Sequence, residues 1–194
     1  VGYQAAYSNT TAPEVTAVGY KAGYNSTGGY NTFLGYNAGV GQTTGDSNTY
    51  IGRGIASVNT STGGFNTALG NFALSRNTSG TSNVSVGQHS LYNNTTASYN
   101  TAVGYQSAYS NTTGTENVAL GVFSLYANTT GIRNTALGKS AMEVNTTGTD
   151  NVAVGVTALD ANTTGANNTA LGNFSLTSNT TASNNTAVGY QAGY

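Results

Sequence analysis

Six carboxylates and one imidazole are all that this sequence offers to acid–base chemistry or metal ligation: Glu14, Asp46, Glu116, Glu143, Asp150, Asp160 and His89. A lyase or glycosidase needs carboxyl groups within reach of one another, and these are spread along the chain. Asp150 and Asp160 are close enough in sequence to fall on neighbouring turns of a repeat, but solvated turns explain them equally well. No catalytic residue, metal site or cofactor is expected, and the chain does not read as an enzyme. The Gly-Gly-x-Gly-x-Asp calcium nonapeptide is missing. With no cysteine there is neither a disulfide framework nor a thiolate ligand.

Two other residue types recur at spacings that carry chemistry. Asn9, Asn59, Asn77, Asn94, Asn111, Asn128, Asn145, Asn162 and Asn179 are each followed by Thr and then Thr or Ser, the acceptor pattern for N-glycosylation. Glycans there would coat one edge of the molecule, although Asn-Thr-Thr is also plain turn chemistry. Tyrosines cluster at Tyr3, Tyr20, Tyr36, Tyr105 and Tyr190, and four residues further on at Tyr7, Tyr24, Tyr92, Tyr109, Tyr126 and Tyr194. The ladder of Tyr3, Tyr7, Tyr20, Tyr24, Tyr105, Tyr109 and Tyr126 is a candidate adhesive surface or subunit interface.

What must position these residues is a repeat. A glycine follows an aliphatic residue at 2, 19, 35, 52, 70, 87, 104, 121, 138, 155, 172 and 189; one deletion and one insertion cancel, so Gly189 lies eleven times seventeen residues after Gly2. The unit reads Asn100-Thr101-Ala102-Val103-Gly104-Tyr105-Gln106-Ser107-Ala108-Tyr109-Ser110-Asn111-Thr112-Thr113-Gly114-Thr115-Glu116, and the next begins at Asn117. The residue before the marker glycine is Val, Leu or Ile in all twelve copies, and two residues earlier stands Thr or Val. That period of two predicts a short β-strand, with the aliphatic column as its core face. The marker glycine supplies a sharp turn or positive φ, and the glycine of Asn-Thr-Thr-Gly a left-handed turn. Asn four residues before the marker glycine (Asn31, Asn48 and Asn66 through Asn185) predicts an amide ladder along a stack.

One repeat is therefore one coil, and coils at ~4.8 Å spacing bury together what none buries alone. The fold expected is all-β: a parallel β-solenoid, or β-roll, of about eleven 17-residue coils, a single array over residues 1–194. A helical repeat needs longer units, and Gly, Thr and Asn are poor helix formers. Collagen would need glycine at every third position. Disorder is hard to reconcile with an unbroken aliphatic column and with fourteen tyrosines.

Composition narrows the partners. Charged residues are 6 % of the chain and the net charge is −1. Lys21, Arg53, Arg76, Arg133 and Lys139 stand singly, so no basic stripe exists to neutralise phosphates and nucleic acid is not an expected partner. No run of about 18 apolar residues is present to insert into a membrane.

The unit Asn134-Thr135-Ala136-Leu137-Gly138-Lys139-Ser140-Ala141-Met142 resembles the head repeats of YadA-type trimeric autotransporter adhesins, and is similar to repeats of bacterial and phage tail-fibre-like proteins. The resemblance covers the whole chain. It implies a left-handed roll, association of three rolls around an axis, an extracellular, cell-surface or virion-fibre location, and binding to host matrix or cells. The units here are longer, with an added Asn-Thr-Thr turn, and the neck, stalk and anchor of such adhesins do not occur in the sequence.

The expected role is the shaft or head of an extracellular adhesive fibre, with copies of itself as partner, in a trimer or a head-to-tail filament, and host or cell-surface glycans or matrix as ligand. The rival is a ligand-binding solenoid that grips glycans with Tyr or orders water with Thr; adjacent Thr112 and Thr113 would point to opposite faces, which weakens the second. Val1–Tyr7 and Val188–Tyr194 differ at one position, which reads as an excerpt of a longer array or a unit that stacks end to end.

Overall fold

The computed structural model of the protein describes residues 1–58 and 60–194. Among the described residues, eleven three-residue strands form a single parallel sheet in sequence order: β1 (Thr16–Val18), β2 (Thr32–Leu34), β3 (Thr49–Ile51), β4 (Thr67–Leu69), β5 (Val84–Val86), β6 (Thr101–Val103), β7 (Val118–Leu120), β8 (Thr135–Leu137), β9 (Val152–Val154), β10 (Thr169–Leu171) and β11 (Thr186–Val188). Each strand pairs in register with the next, so that Thr101, Ala102 and Val103 lie over Val118, Ala119 and Leu120. The solenoid of about 17 residues per coil is as the repeat predicts, and at the strand spacing its sheet runs roughly 50 Å.

Stacking is hydrogen-bonded outside the strands too. Gln106 N donates to Gln88 O (3.0 Å), Ala108 N to Ser124 O (2.9 Å) and Ser110 N to Tyr126 O (3.0 Å). This continuous bonding holds a strained path. Three residues of each complete coil, such as Gln106, Ala108 and Glu116, have left-handed φ between 45° and 62° where they are not glycine, a conformation that costs L-residues roughly 1–2 kcal/mol each. Every coil bends at the same places, so each donor meets the acceptor of its neighbour.

The core lies on the opposite face of the strand from the one expected. Ala102, Ala119, Ala136 and Ala153, the middle residues of β6 to β9, are buried, whereas Val103 and Leu120 are each 38 % exposed. Val18, Leu34, Leu69, Leu171 and Val188 also face outward. The reason is width: the interior is too narrow for two bulky walls. Across from the strand stand the residues three and four places after the marker glycine, such as Ser124 and Leu125 or Ala141 and Met142, all buried. Where Ser85 replaces the central alanine, its hydroxyl reaches the Ser90 hydroxyl across the interior at 2.5 Å. A large central residue is admitted only where the facing wall recedes: the Phe33 ring lies where a Cβ on Gly23 would come within 2.5 Å of it. Tyr50, equally buried, donates its hydroxyl to Asn48 Oδ1 at 3.1 Å, and burial pushes its phenol well above the ordinary range.

The two glycine columns do different work. Marker Gly104 has φ +138°, and a Cβ there would sit 2.5 Å from the Gly121 carbonyl oxygen, so both conformation and close approach exclude a side chain. Gly114, expected to be left-handed, is not among the residues with positive φ. It is small because a Cβ would collide with the Gly131 carbonyl of the next coil. The left-handed residue is Glu116, two places on.

Candidate functional site: the outward ladders

Both asparagine columns point inward, which decides what remains outside. In the first, Asn151 N and Nδ2 both donate to Asn134 Oδ1 (3.1 and 3.2 Å), while Asn134 Nδ2 donates to Gly148 O at 2.8 Å. The backbone N–H bond to the preceding Oδ1 recurs from Asn48 on Asn31 to Asn185 on Asn168, and the Nδ2 bond accompanies it except at Asn117. This is the amide ladder expected, each asparagine bonding back to the coil before it.

The second column is a ladder as well, and this overturns its reading as a glycosylation edge. Asn77, Asn94, Asn111, Asn128, Asn145 and Asn162 are each 0 % exposed. Asn128 Nδ2 donates to Asn111 Oδ1 and to Gly131 O at 2.9 and 3.0 Å, so the nitrogen that would carry sugar is spent inside the roll. Asn9 and Asn179 are only half-buried and turn onto Ala12 and Ala182; Asn59 lies outside the described residues. Peptides spanning Asn77 to Asn162 from the native source should carry no hexose-sized mass increment, and a glycan on any of these six would contradict the ladder. The adjacent threonines divide as a strand would have them. Thr112 Oγ1 donates to Thr129 O at 3.0 Å, while Thr113 stands exposed.

The tyrosines form stacks. Tyr3, Tyr20 and Tyr36 follow one another at ring separations of 5.5 and 5.2 Å, Tyr7 stacks on Tyr24 at 5.2 Å, and Tyr92, Tyr109 and Tyr126 run at 5.3 Å, all within 14° of parallel. Tyr105 meets Phe123 edge-on at 5.5 Å. Cations sit in the same edge: Lys21 over Tyr20 and Tyr24, Arg53 over Tyr36 and Phe72, Arg76 over Tyr92. His89 is absorbed here, stacked on Phe72 at 5.8 Å and edge-on to Tyr92. Such packing accounts for these residues and sets inner rings such as Tyr20 and Tyr109 face to face with a neighbour on both sides, while Tyr3 and Tyr7 stay 65 and 64 % exposed.

Asp150 and Asp160, which sequence proximity could have joined, lie on different walls. Asp150 takes both arms of Arg133, at 2.6 and 2.9 Å, and those bonds hold its carboxyl below the usual range. Asp160 sits one coil from Glu143 in the column that elsewhere carries Tyr109 and Tyr126; partial burial, then the Glu143 charge, raises it. An acid whose folded value is raised costs stability when ionised, and the cost fades as pH falls through that value. Asp160→Asn should therefore melt higher than the parent at neutral pH, the difference closing on acidification; an equal gain at both ends of a pH series of melts would refute the assignment. Among the described residues no three of His, Asp and Glu come together.

The feature that sequence reasoning placed on the wrong side runs the length of the sheet. Thr101 and Val103, Val118 and Leu120, Thr135 and Leu137 project from the outer face of the sheet in two parallel rows, with no charge in either row from β1 to β11. An uncharged, largely apolar strip of this length is larger than isolated exposed side chains account for. Comparison with protein-family models, with curated proteins and with solved structures gave no match.

Proposed function

We propose that the chain is a rigid structural shaft of an extracellular or cell-surface fibre, built to associate with copies of itself and to present adhesive surface along its length. The observation that carries this reading is the outward aliphatic ladder. Twelve Val, Leu and Ile residues in one column are not needed by the interior, which the central alanines and the facing Leu and Met side chains fill, and each costs solvation while it faces water. Packing them against the same strip of another copy removes that cost. A stack whose coils bond to their neighbours around the perimeter supplies stiffness, and the role is mechanical rather than catalytic.

The resemblance to trimeric adhesin heads supports both the association of copies and the location outside the cell. Light scattering and electron microscopy at micromolar concentration test the reading. The expected result is a discrete oligomer or a filament, reduced to single rods when Leu69, Val103 and Leu137 are together replaced by Lys. A parent protein that remains a single rod under the same conditions would overturn it.

A further inference from the structure

The residue immediately before the first asparagine column is Tyr30, Ser47, Phe65, Ser82 and Tyr99 in five successive coils. The three rings are 57, 67 and 64 % exposed and stand apart from the stacks that use Tyr3, Tyr20, Tyr36, Tyr92, Tyr109 and Tyr126. A serine between successive rings sets them two coils apart, about 9.6 Å from the inter-strand spacing, too far for one to cover the next. Their backbone is fixed: Tyr30 N donates to Pro13 O, Phe65 N to Asp46 O and Tyr99 N to Thr81 O at 3.0, 2.9 and 3.1 Å. Exposed Thr44, Ser79 and Thr96 and half-buried Thr81 and Ser98 lie in the same wall. The column carries no charge between Glu14 and Glu116.

An open aromatic face takes the C–H face of a pyranose, and flanking hydroxyls bond its rim. In an extended 1,4-linked β-glycan, successive sugars turn over, so one face recurs at every second sugar. A ring at every second coil has the matching period. We propose that Tyr30, Phe65 and Tyr99 form a platform for a single extended β-1,4-linked glycan chain lying along the solenoid axis. From Tyr30 to Tyr99 is four coils, roughly 19 Å, so about five sugars would span it. An α-1,4-linked glucan curls and does not repeat its face with this period. The platform goes beyond the role of the shaft and lies on a different wall from the aliphatic strip.

The test is calorimetric titration with hexamers of β-1,4-linked glucose and of β-1,4-linked N-acetylglucosamine, with the α-1,4-linked glucose hexamer as control. At least one β-linked hexamer is expected to bind roughly tenfold or more tighter than the control, and which one does so names the sugar. Tyr30→Ala, Phe65→Ala and Tyr99→Ala should each weaken it roughly three- to tenfold. Ser47→Tyr with Ser82→Tyr should weaken it as well, since the new rings cover the old faces while none is removed. Circular dichroism verifies that each variant keeps the fold, and light scattering reads assembly separately. The proposal is overturned if neither β-linked hexamer binds better than the α-linked one, or if the folded triple alanine variant binds like the parent.

Discussion

Asn134→Ala should lower the stability of the solenoid by about 1–3 kcal/mol, although it removes only a small polar side chain. Asn134 Oδ1 is the acceptor for both Asn151 N and Asn151 Nδ2, and Asn134 Nδ2 serves Gly148 O and Asn117 Oδ1. Truncation leaves the Asn151 backbone N–H without a partner and takes one of two donors from the Gly148 carbonyl, which keeps Asn145 Nδ2 at 3.2 Å, between coils where Asn134, Gly148 and Asn151 are all buried. A buried polar group left unmade costs about 1–3 kcal/mol, and the Asn151 N–H is one, since Asn151 Nδ2 keeps Gly165 O at 2.8 Å. Asn134→Asp keeps the acceptor but turns a donor into a carboxylate facing the Gly148 carbonyl, so it should be worse at neutral pH and recover in part on acidification. Thr130→Ala, exposed in the coil before, should move the melt by less than about 0.5 kcal/mol. Circular dichroism melts of the three variants decide, and an Asn134→Ala variant that melts like Thr130→Ala would show that the ladder is not stabilising.

The repeat made the architecture legible before any coordinates, because a 17-residue period in which glycine must recur leaves little besides stacked coils. The inward face was legible too, from a constraint that aliphatic conservation of type obscured. If Asn100 belongs to a buried amide ladder, period two places Ala102 beside it and turns Thr101 and Val103 outward; an inward Asn100 and an inward Val103 cannot both hold. The alanine in the middle of β6 to β11 was the second signal, since a wall that admits only Ala has another wall pressed against it. Other features carried no signal. Leu125 and Phe123 adopt left-handed φ of 49° and 58° without the Gly or Asn that usually marks such a turn, because the coil-to-coil bonding overrides local preference. Gly114 looked like a turn glycine and is a contact glycine. The sequon pattern named residues by type and could not tell that Asn128 Nδ2 already has two partners. Tyr30, Phe65 and Tyr99 were invisible as a set until the coils aligned them, since the insertion lengthens the first of their spacings to 35 residues against 34 for the second.

Neighbouring substitutions in β8 separate the two faces most sharply. Ala136→Asp should disrupt the stack, because Ala136 is 0 % exposed and faces buried Ala141 and Met142, leaving a carboxylate neither water nor a cation. An unpaired buried charge costs several kcal/mol even after relaxation, and in a one-dimensional stack a broken coil also uncouples the coils on either side. The expected result is a large fall in melting temperature, or two transitions from unequal segments. Leu137→Asp changes the very next residue, half-exposed on the outer face. Its new carboxylate stays hydrated, and the isolated rod should lose about 1 kcal/mol or less. Where copies pack through the aliphatic strip, the same substitution places a charge in the contact, so assembly should weaken by far more than the fold does. Melting and light scattering on the pair give opposite signatures: Ala136→Asp fails by melting, Leu137→Asp by dissociating. A Leu137→Asp variant that unfolds beside a stable Ala136→Asp would reverse the faces, and one that folds and assembles like the parent would remove the aliphatic strip from the interface.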